Sequence, residues 1–230
     1  EKSDNYEIGL KSNFYDGRYM ATLAAFLIDW HDQIVRGLGD SLAVLNTNVG
    51  TSTSQGLEFE LTGQPTDRIG IRLGAAYTDA KYDEYNFDVL ETFLGIDPVM
   101  DGNPLPLVSE WMVNTSVEYA LPSSIEDWDL FSRLDWDYRS AQSIVETDDA
   151  TVGSSTRLNL RLGVRNPFWV LTLWGRNVLG EDTAATGVFI PNPAMEPQFT
   201  TAQRDGIQVF QALVTTPEPR SWGITVNYSF

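Results

Sequence analysis

Residues 220–230 constrain the fold more than any other stretch of the chain. Trp222, Ile224, Val226, Tyr228 and Phe230 form one row, and Ser221, Gly223, Thr225, Asn227 and Ser229 form the other, with no charge after Arg220. A strand with this period of two shows one face to an apolar medium and the other to water or a polar interior. Its length matches the roughly 9–11 residues that a tilted strand needs to cross a bilayer. A soluble chain seldom ends on an exposed aromatic residue, so the question is whether the pattern repeats.

It does. Alternation of the same kind recurs at residues 4–14, 18–35, 55–62, 69–78, 111–121, 128–139, 157–165 and 169–178, which with the last stretch makes nine expected strands. Trp111, Val113, Thr115, Val117, Tyr119 and Leu121, for example, oppose Met112, Asn114, Ser116 and Glu118. In residues 18–35 the phase is ambiguous, because Leu23, Ala25 and Leu27 compete with Ala24, Phe26 and Ile28 for the apolar face. Short turns at Tyr15, Pro65, Pro122 and Asn166 alternate with long polar stretches at about 37–53, 82–108, 141–153 and 179–219. An up-and-down barrel of an outer membrane has this asymmetry, with short periplasmic turns and long extracellular loops. Tyr77, Trp111, Tyr119, Trp128, Trp136, Tyr138, Trp222 and Tyr228 fall near strand ends, where interfacial girdles need them. The expected fold is all-β: a transmembrane antiparallel up-and-down β-barrel wall. Nine strands with the last running downward put Glu1 on the outer side, whereas single-chain bacterial barrels have even strand numbers. The expectation is that residues 1–230 form one incomplete domain, the C-terminal segment of a larger barrel.

Composition narrows the function classes. With 15 basic and 32 acidic residues the net charge is −17, which argues against a nucleic-acid partner. The chain has no Cys, so it holds no disulfide and no thiolate metal site. No apolar run approaches the ~18–20 residues of a transmembrane helix. A mean hydropathy of −0.20 would ordinarily read as soluble. That inference fails for a barrel, in which every second residue of a spanning strand is free to be polar.

The second face of the strands is charged along its depth. Glu58, Glu60, Arg72, Arg133, Asp135, Arg157, Arg161, Arg165 and Arg176 lie on it, with Glu7, Lys11, Glu118 and Asp137. In a narrow barrel these groups would pair in a dry core, where ion pairs rarely repay their desolvation. A wide barrel, wet or holding a polar plug, accommodates them. Arg157, Arg161 and Arg165 form a ladder that could pair with a plug, pair with Asp135 and Asp137, or line an anion path. In the long loops Tyr85, Phe87, Phe93, Phe189, Phe199 and Phe210 are candidates to stack on a ligand, with packing among themselves as the alternative. The loop carboxylates Asp83, Glu84, Asp88, Glu91, Glu146, Asp148 and Asp149 show no EF-hand spacing and read as solvated surface. His31, the only His, sits between Asp29 and Asp32 at a strand end. No nucleophile-elbow motif accompanies it, and ligands from one strand make a poor cage, so no catalytic, cofactor or metal site is assigned.

Several segments resemble a known family. They are Ser3-Asp4-Asn5-Tyr6-Glu7-Ile8-Gly9-Leu10-Lys11, Asp29-Trp30-His31-Asp32 at the end of its strand, Ser54-Gln55-Gly56-Leu57-Glu58-Phe59-Glu60, and the Leu105-Pro106 lead-in to Trp111. Gly175-Arg176-Asn177-Val178-Leu179-Gly180-Glu181-Asp182 is similar to an Asn-Leu-Phe-Asp element, with Val178 and Leu179 as departures, and Pro219-Arg220 opens a closing strand that ends at Phe230. Taken in order, they resemble the C-terminal β-barrel portion of a TonB-dependent outer-membrane receptor. The resemblance implies a barrel of about 22 strands, of which these are the last nine, with a plug domain that has no counterpart here; nor has the TonB box. It implies energy-coupled uptake of a scarce ligand of the siderophore-iron, haem, cobalamin or glycan class. The implied partners are outer-membrane lipid, the protein's own plug domain and upstream barrel strands, and a TonB-type energy transducer. Tyr228 and Phe230 resemble the terminal signal read by the barrel-assembly machinery. A passive porin, an outer-membrane barrel enzyme and a soluble all-β binding module are the alternatives.

Overall fold

The computed structural model describes residues 1–38, 44–86, 97–123, 125, 127–191 and 210–230. Its strands are β1 (Lys2–Phe14), β2 (Tyr19–Leu38), β3 (Val44–Thr66), β4 (Ile69–Glu84), β5 (Trp111–Leu121), β6 (Asp129–Arg139), β7 (Gln142–Ser143), β8 (Thr151–Val152), β9 (Ser155–Arg165), β10 (Trp169–Arg176), β11 (Gly187–Pro191), β12 (Phe210–Val214) and β13 (Ser221–Tyr228). Nine of them form one sheet in the order β1-β2-β3-β4-β5-β6-β9-β10-β13, and all neighbours are antiparallel. Among the described residues β1 and β13 are the two edges and do not pair with each other, so the barrel is not closed.

The register turns nine separate alternations into one surface. Leu10 faces Leu23, Leu23 faces Phe59, Phe59 faces Ala75, Ala75 faces Val113 and Val113 faces Tyr138. Farther along, Leu130 faces Val164, Val164 faces Leu171 and Leu171 faces Val226. Cross-strand partners share a face, so the apolar rows are continuous from β1 to β13. The phase of β2 is thereby decided: Leu23, Ala25 and Leu27 join the apolar face, and Phe26 and Ile28 lie on the other. Nothing among the described residues covers this apolar face. Ile8 is 76% exposed and Ile224 is 74% exposed. In water so large an apolar patch would be an anomaly; against lipid it is a solvated surface.

Aromatic side chains border the apolar rows at both ends. Trp169 packs on Tyr228 with ring centroids 4.6 Å apart at the short-turn end of β10 and β13, and the Phe14–Tyr19 stack at 5.3 Å marks the same end at the opposite edge of the sheet. Tyr77 packs on Trp111 at 5.0 Å toward the long-loop end, where Trp136 and Tyr138 also lie. Trp111 to Tyr119 spans β5 for about 27 Å at the usual strand rise. A tilt of roughly 40° shortens that to about 21 Å, close to the roughly 25 Å apolar band of an outer-membrane barrel.

The short turns fall where the sequence places them. Tyr15 and Asp16 take positive φ (53° and 55°) before Gly17 (80°). The long stretches differ from expectation. Residues 37–54, expected as an extracellular loop, are largely strand: β2 runs on to Leu38 and β3 begins at Val44, in register from Gln33–Val49 to Leu38–Val44. Beyond the membrane both faces of a hairpin meet water, so the Thr-, Asn- and Ser-rich alternation there carries no apolar signal. β4 likewise continues to Glu84, and the stretches at 141–153 and 179–219 contain the hairpins β7–β8 and β11–β12.

Candidate functional site on the polar face and the loop cap

The polar face carries an ordered charge lattice. Glu118, Arg133, Arg161 and Trp174 form one cross-strand row; Asp137 faces Arg157 and Asp129 faces Arg165 in others. The Arg133 guanidinium forks between Glu118 (Nη1 to Oε1, 2.6 Å) and Asp135 (Nη2 to Oδ1, 2.6 Å). Arg165 meets Asp129 at 3.7 Å and lies over the Phe131 ring at 5.7 Å. Arg176 meets Glu218 at 3.6 Å and stacks on Trp174 at 5.1 Å. Glu58 lies between Ala24 and Ala76, and Glu60 between Thr22 and Gly74. Arg72 faces Thr62 and Ser116 and lines a hollow near the short turns with Arg18 and Glu118. All nine charged residues expected on one face therefore share it.

Aromatic residues on this face lie flat because glycine faces them. Phe131 covers Gly163, where a Cβ would come within 2.5 Å of the ring and 2.6 Å of the Leu171 carbonyl oxygen. Phe26 covers Gly56 and Trp174 covers Gly223 in the same way. A bare glycine is what allows a large ring to rest on the sheet at these positions.

The closest packing among the described residues is in the cap of loops. Ala80, Tyr82, Tyr85 and Met100 are buried, as are Ile144, Val145 and Val152. The segment after residue 97 runs back along β4: Met100 N–H donates to the Tyr85 carbonyl and Leu105 N–H to the Ala80 carbonyl, each at 2.9 Å. Leu107 N–H then donates to the Ser143 carbonyl at 2.8 Å, joining this segment to the β7–β8 hairpin. Tyr85 is only 2% exposed, with its ring 4.8 Å from that of Tyr82. Burial, with Glu146 nearby, pushes its phenol above the ordinary tyrosine range. Of the aromatic ligand candidates, Tyr85 thus takes the self-packing alternative in this arrangement: its ring offers no surface to stack on. Phe87, Phe93 and Phe199, and the side chains of Phe189 and Phe210, lie outside the described residues, as do Asp88 and Glu91. His31, expected at a strand end, is instead exposed within β2, because the strand runs on past it to Leu38; it pairs with Lys2 and Thr51 and lies 3.9 Å from Asp4. Among the described residues no group of three potential ligands is placed to hold a metal.

The cap joins the wall at a node of which the sequence gives only a hint. Asn177 is 2% exposed and has φ 48°. Its Nδ2 donates to the carbonyls of Glu181 (2.7 Å) and Glu218 (2.8 Å), and its Oδ1 accepts from Glu181 N–H (2.8 Å). Its own N–H donates to Asn159 Oδ1 at 2.9 Å. The adjacent Glu181 carboxylate accepts from Thr156 N–H (2.7 Å) and Thr183 N–H (2.8 Å). These hydrogen bonds, Thr183 foremost, hold its carboxyl down at about 2. A depressed folded-state pKa adds stability that is fully present above the ordinary carboxyl value and is lost as pH falls through the folded one. The thermal midpoint of the protein should therefore fall between about pH 4.5 and pH 2 more steeply than in Glu181→Gln, as read by intrinsic fluorescence. Parallel curves for the two proteins would refute the assignment.

Comparison with known proteins agrees with this geometry. The family described as "TonB dependent receptor-like, beta-barrel" matches residues 1–178. An uncharacterized TonB-dependent receptor of Haemophilus influenzae is 36% identical over 86 residues, 35% of this chain and 23% of that protein. The ferric yersiniabactin uptake receptor FyuA of Yersinia pestis superimposes on 99% of the chain with a TM-score of 0.74 at 15% identity, covering 30% of its own length. The siderophore receptor PiuA of Acinetobacter baumannii does so over 98% of the chain, with a TM-score of 0.70 at 19% identity and 28% of its length. The chain thus spans less than a third of the relatives it matches. That family consists of receptors and transporters and not of enzymes, and it resides in the bacterial outer membrane. With its spanning rows, girdles, loop cap and family match, the chain belongs to the β-barrel family of TonB-dependent receptors.

Proposed function

We propose that residues 1–230 form the C-terminal part of the barrel wall, with its loop cap, of a receptor for energy-coupled uptake of a scarce ligand. The observation that carries this reading is a nine-stranded sheet, apolar on one face and charged on the other, that follows much larger receptors along nearly its whole length. A charged inner face suits a wide lumen that a polar plug fills, and a structured cap suits capture at the cell surface. The siderophore-iron class leads among the candidates, ahead of haem, cobalamin and glycans, because the structurally similar proteins named above are siderophore receptors. The partners would be the plug domain, the remaining wall strands, outer-membrane lipid and a TonB-type transducer. Tyr228 and Phe230 would serve the barrel-assembly machinery; Phe230 is free of covering contacts at the end of the closing strand.

The test is uptake by cells that carry the full-length receptor as their only route. Accumulation of labelled ferric chelates under iron starvation should fall at least roughly tenfold when the transducer is deleted or the proton gradient is collapsed. Uptake that persists without the transducer would mark a passive pore. A requirement during carbon starvation, with none during iron starvation, would move the ligand to the glycan class.

A further inference from the structure

The apolar face is not uniform. Tyr119 faces Ser132, Ser132 faces Leu162 and Leu162 faces Leu173 in one cross-strand row. In the next row Leu134 faces Leu160, Leu160 faces Gly175 and Gly175 faces Trp222. Each row sets one small residue among large ones: Ser132 in the first, Gly175 in the second. A hollow of about 540 Å³ opens along them on the lipid side, a volume within the roughly 300–1,000 Å³ of small-ligand sites. The Trp222 indole lies over Gly175, where a Cβ would clash with it, and so closes one end. Tyr119 stands at the other.

The strands β5, β6, β9, β10 and β13 border the hollow in that order, and their spacing makes it about 19 Å long. One leaflet of a bilayer core is about 15 Å thick, so a single extended acyl chain spans most of that length. Strands of such barrels tilt by roughly 40°, so a row square to them is inclined to the membrane plane. The hollow accordingly climbs from Tyr119, at the short-turn end of β5, to Trp222, at the loop end of β13. Trp222 is 59% exposed, and its Nε1–H has no acceptor among the described residues. Trp174 Nε1–H, on the opposite face, is by contrast taken by Thr225 Oγ1 at 3.0 Å. An indole N–H at a membrane border finds its acceptor in the headgroup layer. The hollow is continuous with the lipid-facing rows, at a depth where no water enters to fill it. Atoms that line an unfilled gap forfeit dispersion contacts, so the material the membrane supplies at that depth occupies it.

We propose that this hollow seats one acyl chain of an outer-leaflet lipid. Ester or phosphate oxygens of that lipid accept from Trp222 Nε1–H at the loop side. The chain descends past Leu173 and Leu160 to rest over Ser132, with its methyl end toward Tyr119. It lies across β6, β9, β10 and β13, and so bridges the closing strand to the wall behind it. The inference concerns the membrane face alone and does not depend on which ligand the receptor carries.

The test uses the full-length receptor in vesicles of phosphatidylethanolamine and phosphatidylglycerol. A trace of the phosphatidylethanolamine carries a photoreactive diazirine, either near the ester of one acyl chain or near its methyl end. Adducts formed on irradiation are mapped by peptide mass spectrometry. Those on Ser132, Leu162 and Leu173 should exceed those on Leu10 and Ser12, which lie on the same apolar face in β1, at least roughly threefold, since a lodged chain keeps its contacts. The ester-end probe should mark Trp222 and Leu173, and the methyl-end probe Ser132 and Tyr119. Ser132→Phe fills the floor of the hollow and should bring its adducts down to the level of β1, with heat-dependent gel migration unchanged; Ser132→Leu should do so in part. Ser12→Phe should leave the adducts of the hollow as they were. Even labelling along the apolar rows, or labelling that Ser132→Phe leaves intact, would overturn the seat. The reverse order of the two probes would place the chain in the other leaflet and overturn the outer-leaflet assignment. In cells, a photoreactive phenylalanine in place of Leu162 should yield lipid-sized adducts; a protein-sized adduct would name another occupant and end the proposal.

Discussion

Replacing Val226 by arginine should destabilise the barrel by about 2–4 kcal/mol, the cost of a cation near the middle of the lipid face. Val226 lies between Trp222 and Tyr228 on the apolar row, facing Leu171, beyond which stand Val164 and Leu130. Its neighbour Asn227 points to the other face, across from Val170. The same substitution there, Asn227→Arg, places the charge on the wet side and should cost less than about 1 kcal/mol. Two adjacent positions at nearly the same depth thus differ only in the face they present. Urea titration of the full-length receptor in lipid vesicles, followed by heat-dependent gel migration, gives both values. Equal penalties would mean that the faces are assigned wrongly.

The second large effect is expected at Asn177. Alanine removes three side-chain hydrogen bonds, each of a net value of about 1 kcal/mol, and leaves the carbonyls of Glu181 and Glu218 without this donor. Its φ of 48° adds roughly 1 kcal/mol for a residue that tolerates the left-handed region less well than asparagine. A local loss of about 3–4 kcal/mol follows, confined to the junction of β10, the 177–187 segment and the approach to β13. Amide exchange at Glu181 should accelerate accordingly, while exchange within β4 and β5 stays as it was. Asn177→Gly relieves the backbone but not the lost bonds, so it should recover about 1 kcal/mol. An Ala variant with parental exchange at Glu181 would show that the node carries no load.

What the residues made legible was the part that a period of two encodes. The apolar rows of β5, β6, β9 and β13 stand in the sequence as they stand in the sheet, because lipid favours apolar residues at outward positions, with Thr115 and Ser132 as the small polar exceptions in β5 and β6. The phase of β2 was hidden, since Phe26 and Ile28 are apolar on the polar side. Phe26 sits there because Gly56, directly opposite it on β3, leaves room for its ring, and that pairing exists only once the register is known. The outer halves of β2 and β3 were hidden for the opposite reason: above the membrane no face has to be apolar. The charged face was readable residue by residue, but not its pairing. That Arg133 forks between Glu118 and Asp135 depends on which strands lie side by side. Asn177 could be noticed as part of a motif, but its bond to Glu218 joins residues that the long 179–219 stretch separates.

The uncovered apolar face has a consequence for how this wall can change over time. Its side chains meet a fluid, not a fitted partner, so no cavity opens when Leu becomes Val and no clash arises when Ala becomes Ile. Selection at these positions acts on polarity and hardly on shape. A saturation scan should therefore show a comb along each strand: every second position open to any aliphatic residue and closed to charge, with the glycines under Phe26, Phe131 and Trp174 as fixed teeth. Sequences can drift far under such a rule while the path of the backbone stays where it was.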